Sequence, residues 1–124
     1  MIVGIGVDLV EIAALQDRMT GEERMASRMF TAAEREYCLS LANPYRHFAG
    51  TAAAKEAVMK ALGTGWTDEV DWLEIAVART DSGRPAVVLS GGALAAANSL
   101  NVRHCLVSIS HDGAYAVACA VLES

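Results

Sequence analysis

The sequence predicts an α+β fold, a small antiparallel sheet packed with one long helix and several short ones. Three observations predict it. The chain opens on a β-branched, aliphatic run, IVGIGVDLVEI (residues 2–12), which reads as a buried strand. A stretch from Tyr45 to Leu62 is almost entirely small and apolar, and a helix that is apolar nearly all round is a buried one. The last two strand-like runs, RHCLVSIS (103–110) and AYAVACAVLE (114–123), are joined at His111-Asp112-Gly113, and Asp-Gly suits a tight hairpin turn.

Each element has a local reason. Side chains alternate along the first strand, so Gly4, Gly6 and Asp8 share one face and Ile5, Val7 and Leu9 the other. GEERMASRMF (21–30) reads as a short helix. TAAEREYCLSLA (31–42) opens with Thr31 and carries Glu34 one turn later, a capping box, and Asn43-Pro44 ends it. The long helix stops at Gly63-Thr64-Gly65. DWLEIAVART (71–80) reads as a strand, DSGRP (81–85) as a turn and AVVLS (86–90) as the returning strand. GGALAAANSL (91–100) is a helix with Ser90 as candidate N-cap. His111 is placed at the final turn.

Composition bounds the function. A chain of 124 residues is most simply one domain. Its hydrophobic fraction of 53% is high for a small domain, which keeps much of its surface exposed. Part of that apolar content is therefore expected against another subunit. The apolar runs are too short to span a bilayer and are broken by charges. The opening MIVGIGVDLV has no basic segment and soon meets Asp8, unlike a signal peptide. Cys38, Cys105 and Cys119 are odd in number and lack metal-ligand spacing, as in a reduced cytosolic protein with inert buried thiols. A net charge of −5 argues against general nucleic-acid binding.

The chemistry concentrates on the long helix. From Ala49 to Leu62 the only charges are Lys55, Glu56 and Lys60. Glu56 and Lys60 share a face, and Lys55 sits about 100° away around the axis. A solvated ion pair is the plain explanation for such charges. Against it stands the alanine stripe of Ala49, Ala53, Ala57 and Ala61, because charges on a buried helix need partners or a ligand. Gly63-Thr64-Gly65 stops the helix, and its N–H groups and hydroxyl also suit a phosphate. Gly4-x-Gly6 is not the dinucleotide fingerprint, since Leu9 takes the third glycine's place, and no Walker sequence is present. Asp8 and Glu56 would make a magnesium-type carboxylate pair if the fold brings them together.

Taken in order, GIGVDLVEI (4–12), FTAAERE (30–36), AAKEAVMKALGTG (53–65), GRPAVVLSG (83–91) and VSISHDGAYAVACAVLE (107–123) resemble the holo-acyl-carrier-protein synthases, the short bacterial phosphopantetheinyl transferases. The resemblance covers nearly the whole chain. It implies the phosphopantetheinyl transferase fold. It also implies transfer of 4′-phosphopantetheine from coenzyme A to a serine of an acyl carrier protein, with release of 3′,5′-ADP. By position, Asp8 and Glu56 would hold Mg²⁺ on the diphosphate. Glu56 would also orient or deprotonate the serine, and Lys60 would neutralise phosphate charge. Gly63, Thr64 and Gly65 would line the nucleotide, and Pro85 and His111 would take its adenine and 3′-phosphate end. The family's usual trimer, with sites between subunits, would account for the apolar surplus and would seat the alanine stripe. The helix's charges would then face the diphosphate.

Two departures stand out. Where the family usually writes Arg-Phe-Ala-x-Lys-Glu, this chain has Thr51 and Ala52, which removes an arginine that helps to hold phosphate. Arg46 lies about 140° away around the helix and is not a simple substitute. Soon after Glu11, where a basic residue is common, the chain reads Ala13-Ala14-Leu15, leaving Arg18, Arg24 and Arg28 as carrier-docking cations. A non-catalytic coenzyme A or nucleotide-binding module on the same fold is the alternative. Retention of Asp8, Glu56 and Lys60 argues against it. A structural oligomer without ligand leaves the charged buried helix unexplained.

Overall fold

Strand β1 (Ile2–Glu11) runs directly into helix α1 (Ile12–Gly21) in the computed structural model, which describes residues 1–65 and 70–124. Helices α2 (Met25–Met29), α3 (Ala32–Leu39) and α4 (Pro44–Leu62) follow. After a 3₁₀ turn (Trp72–Glu74) come β2 (Ile75–Arg79), β3 (Pro85–Leu89), α5 (Gly91–Ser99), β4 (His104–Asp112) and β5 (Tyr115–Glu123). Strands β1, β5 and β4 form an antiparallel sheet in that order, and β2 and β3 form a separate hairpin.

Helix α4 lies across one face of the three-stranded sheet. Gly4 and Gly6 make this possible: a Cβ at either would collide with the carbonyl oxygen of Ala61 or Ala57. The glycine pair thus serves the approach of the chain's own helix. The alanine stripe is explained by the same contact. Ala49, Ala53, Ala57 and Ala61 are buried within the protomer, packed with Ala116, Ala118, Ala120 and Leu122 of β5 in the two core clusters. The stripe therefore does not seat the helix against another subunit.

The apolar surplus sits on the sheet's other face. Ile5, Val7 and Leu9 are 69%, 60% and 62% exposed, and Leu106 of β4 is exposed on the same side. The alternation within β1 is as the sequence predicts.

Several element boundaries differ from the sequence reading. Helix α1 occupies residues to which periodicity assigned no element. The 21–30 helix contracts to Met25–Met29. Helix α3 stops at Leu39 and Pro44 starts α4 instead of ending α3, because proline's fixed φ and missing N–H suit the first helical turn. The 71–80 run divides into the 3₁₀ turn and β2. Ser90 occupies the N-cap of α5 but makes no side-chain cap. The Glu74 carboxylate does so, accepting from Gly92 N at 2.6 Å. The capping box of α3 forms as read, with Glu34 N donating to Thr31 Oγ1 and Thr31 N to Glu34 Oε1.

Candidate active site

Asp8 lies on β1 opposite Ala118, facing α4, and is buried. Lys60, in the last turn of α4, donates from Nζ to Asp8 Oδ1 at 2.9 Å and to the Val7 carbonyl at 3.1 Å. One turn earlier Glu56 faces the same carboxylate. Burial, and then the Asp8 carboxyl beside it, pushes Glu56 up to about 7. Asp8 in turn holds the Lys60 ammonium above its ordinary value. Asp8 Oδ2 is buried without a hydrogen-bond partner.

Two carboxylates share one directly bonded ammonium, with Arg18 as a further cation acting on Glu56, and one carboxylate oxygen is left without a donor. That donor set fits a hard divalent cation, which prefers carboxylate oxygen and fills its remaining positions with water and substrate phosphate. Among the described residues no group of three or more His, Cys, Asp and Glu supplies a complete cage.

Lys55 belongs to a different structure. It is fully buried, and its Nζ reaches Glu34 Oε1 at 2.7 Å and the Trp72 carbonyl at 2.9 Å. Glu34 also accepts from Thr31 N and Val77 N, each at 2.7 Å. Burial pulls the Lys55 ammonium down while Glu34 pulls it back up. This ion pair ties α3, α4, β2 and the 3₁₀ turn together. Lys55 therefore does not join Glu56 and Lys60 in facing a ligand.

The Gly63-Thr64-Gly65 loop is committed to closing α4. Gly63 N donates to Lys60 O, and both Thr64 N and Gly65 N donate to Met59 O. Gly63 and Gly65 have φ of 78° and 58°, the left-handed region that favours glycine. The loop supplies shape beside Lys60 rather than free N–H groups.

A second constellation lies on the opposite flank of α4. Arg46, His47, Arg79 and His111, with Tyr37, Gly50 and Ile109, line a cavity of about 180 Å³. His111 is in β4, paired with Ala116, and not in the turn, which moves to Gly113-Ala114. Its ring meets that of His47 edge-on at 5.9 Å. A side chain at Gly50 would crowd Ile109, so glycine lets the helix approach β4 here. Pro85 pairs with Arg79 in the β2–β3 hairpin and does not itself line the cavity. Glu56 and His47 point about 180° apart around the helix, and Asp8 and His111 are on opposite edge strands. One protomer thus presents the carboxylate cluster and the cationic cavity on different flanks.

Residues 4–120 match the sequence profile of the 4′-phosphopantetheinyl transferase superfamily. The chain is 43% identical over 125 residues to the holo-[acyl-carrier-protein] synthase of Geobacter sulfurreducens, covering 99% of this chain and 98% of that one. The chain belongs to the holo-[acyl-carrier-protein] synthase family. Its fold agrees. The crystal structure of the Helicobacter pylori synthase in complex with coenzyme A superposes with a TM-score of 0.85 at 28% identity, over 96% of this chain and 99% of that one. The Bacillus anthracis synthase in complex with CoA (3′,5′-ADP) gives 0.83 at 36% identity, over 100% and 98%. The predicted α+β class and the transferase identity are thereby established.

As a synthase of this family the chain shows what its departures do. Thr51 is buried, donates to its own helix at His47 O (2.9 Å), and lies 4.0 Å from Cys38 Sγ. It faces the α3–α4 contact. Burial raises the Cys38 and Cys105 thiols to about 11, as inert cysteines require. Ala14 and Ala52 leave a cavity of about 210 Å³ beside Glu56, Leu9 and Arg18. Arg18 and Arg28 flank a cleft of about 430 Å³ with Met25, Met29, Trp72 and Leu73. Arg24 stands outside that lining, at the N-cap of α2. Sequence reasoning missed Glu34 as the partner of Lys55, and it missed Arg79 and His47. The capping box marked Glu34, but only as a cap, and no spacing links Arg79 to residues so far away in the chain.

Proposed function

We propose that this synthase transfers 4′-phosphopantetheine from coenzyme A to a serine of an apo acyl carrier protein, with Mg²⁺, and releases 3′,5′-ADP. The observation that carries the reading is the Asp8–Lys60–Glu56 cluster with its orphaned buried carboxylate oxygen. It is supported by relatives named as holo-[acyl-carrier-protein] synthases and by similar structures that hold coenzyme A.

In this reading the serine Oγ attacks the phosphorus that bears the pantetheine arm. A new P–O bond forms to serine, and the P–O bond to the nucleotide breaks with 3′,5′-ADP leaving. The serine proton passes to the Glu56 carboxylate, directly or through water, and then to solvent. Asp8 and Glu56 would hold a divalent cation, which would supply charge neutralisation to the substrate's diphosphate. Lys60, more than half exposed beyond its contact with Asp8, places its ammonium where charge accumulates as the leaving oxygen departs. Phosphoryl-type transfer depends mainly on such positioning and charge stabilisation. Gly63, Thr64 and Gly65 shape the wall beside Lys60, and Pro85 and His111 meet the adenine and 3′-phosphate end.

The acidic carrier docks on the Arg18, Arg24 and Arg28 side, where apolar Met25, Met29 and Leu73 lie beneath a cationic rim. The open face of Ile5, Val7 and Leu9 is the homotrimer contact. Assembly through it would bring the carboxylate cluster of one copy to the cationic cavity of the next. The free thiols suit the reducing cytoplasm.

Intact-mass analysis of apo carrier proteins incubated with the protein, coenzyme A and Mg²⁺ tests the reading. The expected result is a phosphopantetheine mass increment on the carrier serine. Coenzyme A binding without any increment, across carriers from several sources, would instead identify a non-catalytic binding module.

A further inference from the structure

Arg18 stands where two spaces meet. It lines the cleft of about 430 Å³ on the carrier-docking side, and it lines the cavity of about 210 Å³ beside Glu56. Met29 also belongs to both walls, so the two spaces adjoin. Ala14, Leu15 and Arg18 share one face of α1, and Ala52 and Glu56 share one face of α4. These two faces wall the smaller cavity. Ala14 and Ala52 keep it open, since a larger side chain at either position would fill it. Arg24 lies outside both linings, and Arg28 lines only the cleft. Of these three arginines, Arg18 alone reaches the side of Glu56. Burial and the Asp8 carboxyl raise Glu56, while Lys60 and then Arg18 act on it in the opposite direction. Lys60 is tied to Asp8 and the Val7 carbonyl. Among the described residues the exposed Arg18 guanidinium has no ion pair, although Glu11 lines the same cavity.

We propose that Arg18 is a catalytic residue of the transfer, donating from its guanidinium to the non-bridging oxygens of the migrating phosphoryl group as the carrier serine enters between α1 and α4. The assignment rests on the transfer reading. As the serine oxygen adds to phosphorus, negative charge grows on those two oxygens as well as on the leaving one. A guanidinium fork matches a pair of phosphate oxygens. A donor aimed where charge develops lowers the barrier more than it strengthens ground-state binding. Lys60 serves the leaving side, and Arg18 serves the side from which the serine approaches. No bond to Arg18 forms or breaks, and it keeps its proton throughout. Its role thus differs from that of Arg24 and Arg28, whose charges lie farther out on the rim.

Two measurements separate chemistry from docking. One is steady-state transfer read by intact mass. The other is equilibrium binding of a carrier whose target serine is replaced by alanine. Arg18→Met keeps an apolar stem and a good helix former but removes the guanidinium. Its kcat is expected to fall about ten- to a hundredfold, at or just below the loss seen when one oxyanion donor is removed. The KM for coenzyme A and the affinity for the alanine-bearing carrier should change by no more than about fivefold, the worth of an exposed charge contact. Retained carrier affinity also shows that the variant is folded. Arg28→Glu, by contrast, should weaken binding of that carrier. Arg18→Lys should recover part of kcat. Guanidinium ion at low millimolar concentration should raise the kcat of Arg18→Ala, and urea, which has a similar shape without the charge, should not. An unchanged kcat in Arg18→Met, or a loss of carrier affinity as large as the loss in kcat, would overturn the proposal and leave the transfer reading standing. If the wild-type chain modifies no carrier, both fall together.

Discussion

Replacing Lys55 with methionine should destabilise the fold severely although Lys55 touches no expected ligand. Lys55 is fully buried, with its ammonium 2.7 Å from Glu34 Oε1 and 2.9 Å from the Trp72 carbonyl. Methionine preserves most of the volume but leaves the Glu34 carboxylate uncompensated and the Trp72 carbonyl without its donor. Removing one partner of a buried pair costs about 3–5 kcal/mol. Glu34 keeps N–H donors from Thr31 and Val77, which places the expectation near the lower end, about 3 kcal/mol. That is a large share of a typical stability of about 5–15 kcal/mol. Urea unfolding, read at fixed protein concentration because assembly contributes to stability, measures it. The double variant Lys55→Met/Glu34→Gln should recover part of the loss, since it removes the uncompensated charge, but only part, because Thr31 N and Val77 N reach different carboxylate oxygens and the amide nitrogen can accept from neither. A loss under about 1 kcal/mol, or a double variant no more stable than Lys55→Met alone, would refute the account of Lys55 as the buried counter-charge.

Four further outcomes are expected. Val7→Asp on the open sheet face should give monomers by light scattering and abolish transfer, and mixing Glu56→Gln with His111→Ala protein should restore activity only if the site is shared between copies. Asp8→Asn or Glu56→Gln should abolish transfer with the fold intact by circular dichroism. Burial and the Asp8 carboxyl raise Glu56 to about 7 in the metal-free protein, so urea unfolding without metal should show stability falling as pH rises from the ordinary carboxylate range to that pH, whereas Glu56→Gln should show no such fall. Charge reversal at Arg24 or Arg28 should raise the KM for the carrier and leave that for coenzyme A unchanged, with the effect shrinking as salt screens the rim charges; a rise for coenzyme A alone would reject the docking surface.

The sequence by itself determined what local rules control. Alternation placed Gly4, Gly6 and Asp8 on one face of β1, helical spacing placed Glu56 and Lys60 together, and the Thr31–Glu34 capping box began α3 where it was read. These depend only on near neighbours in the chain and on fixed periods of strand and helix. Only the tertiary structure decided which partner each charge and each apolar face would find. Lys55 and Glu56 are adjacent, yet one meets Glu34 in the core and the other meets Asp8 at the rim. The alanine stripe found the chain's own sheet, because the missing side chains at Gly4 and Gly6 let α4 settle there. His111 entered β4 because the hairpin turned at Gly113-Ala114, one register step beyond Asp112. Arg79 and Arg46 converge through pairings between residues far apart in sequence, and such pairings are set by the packing of whole elements against one another, which no local pattern encodes.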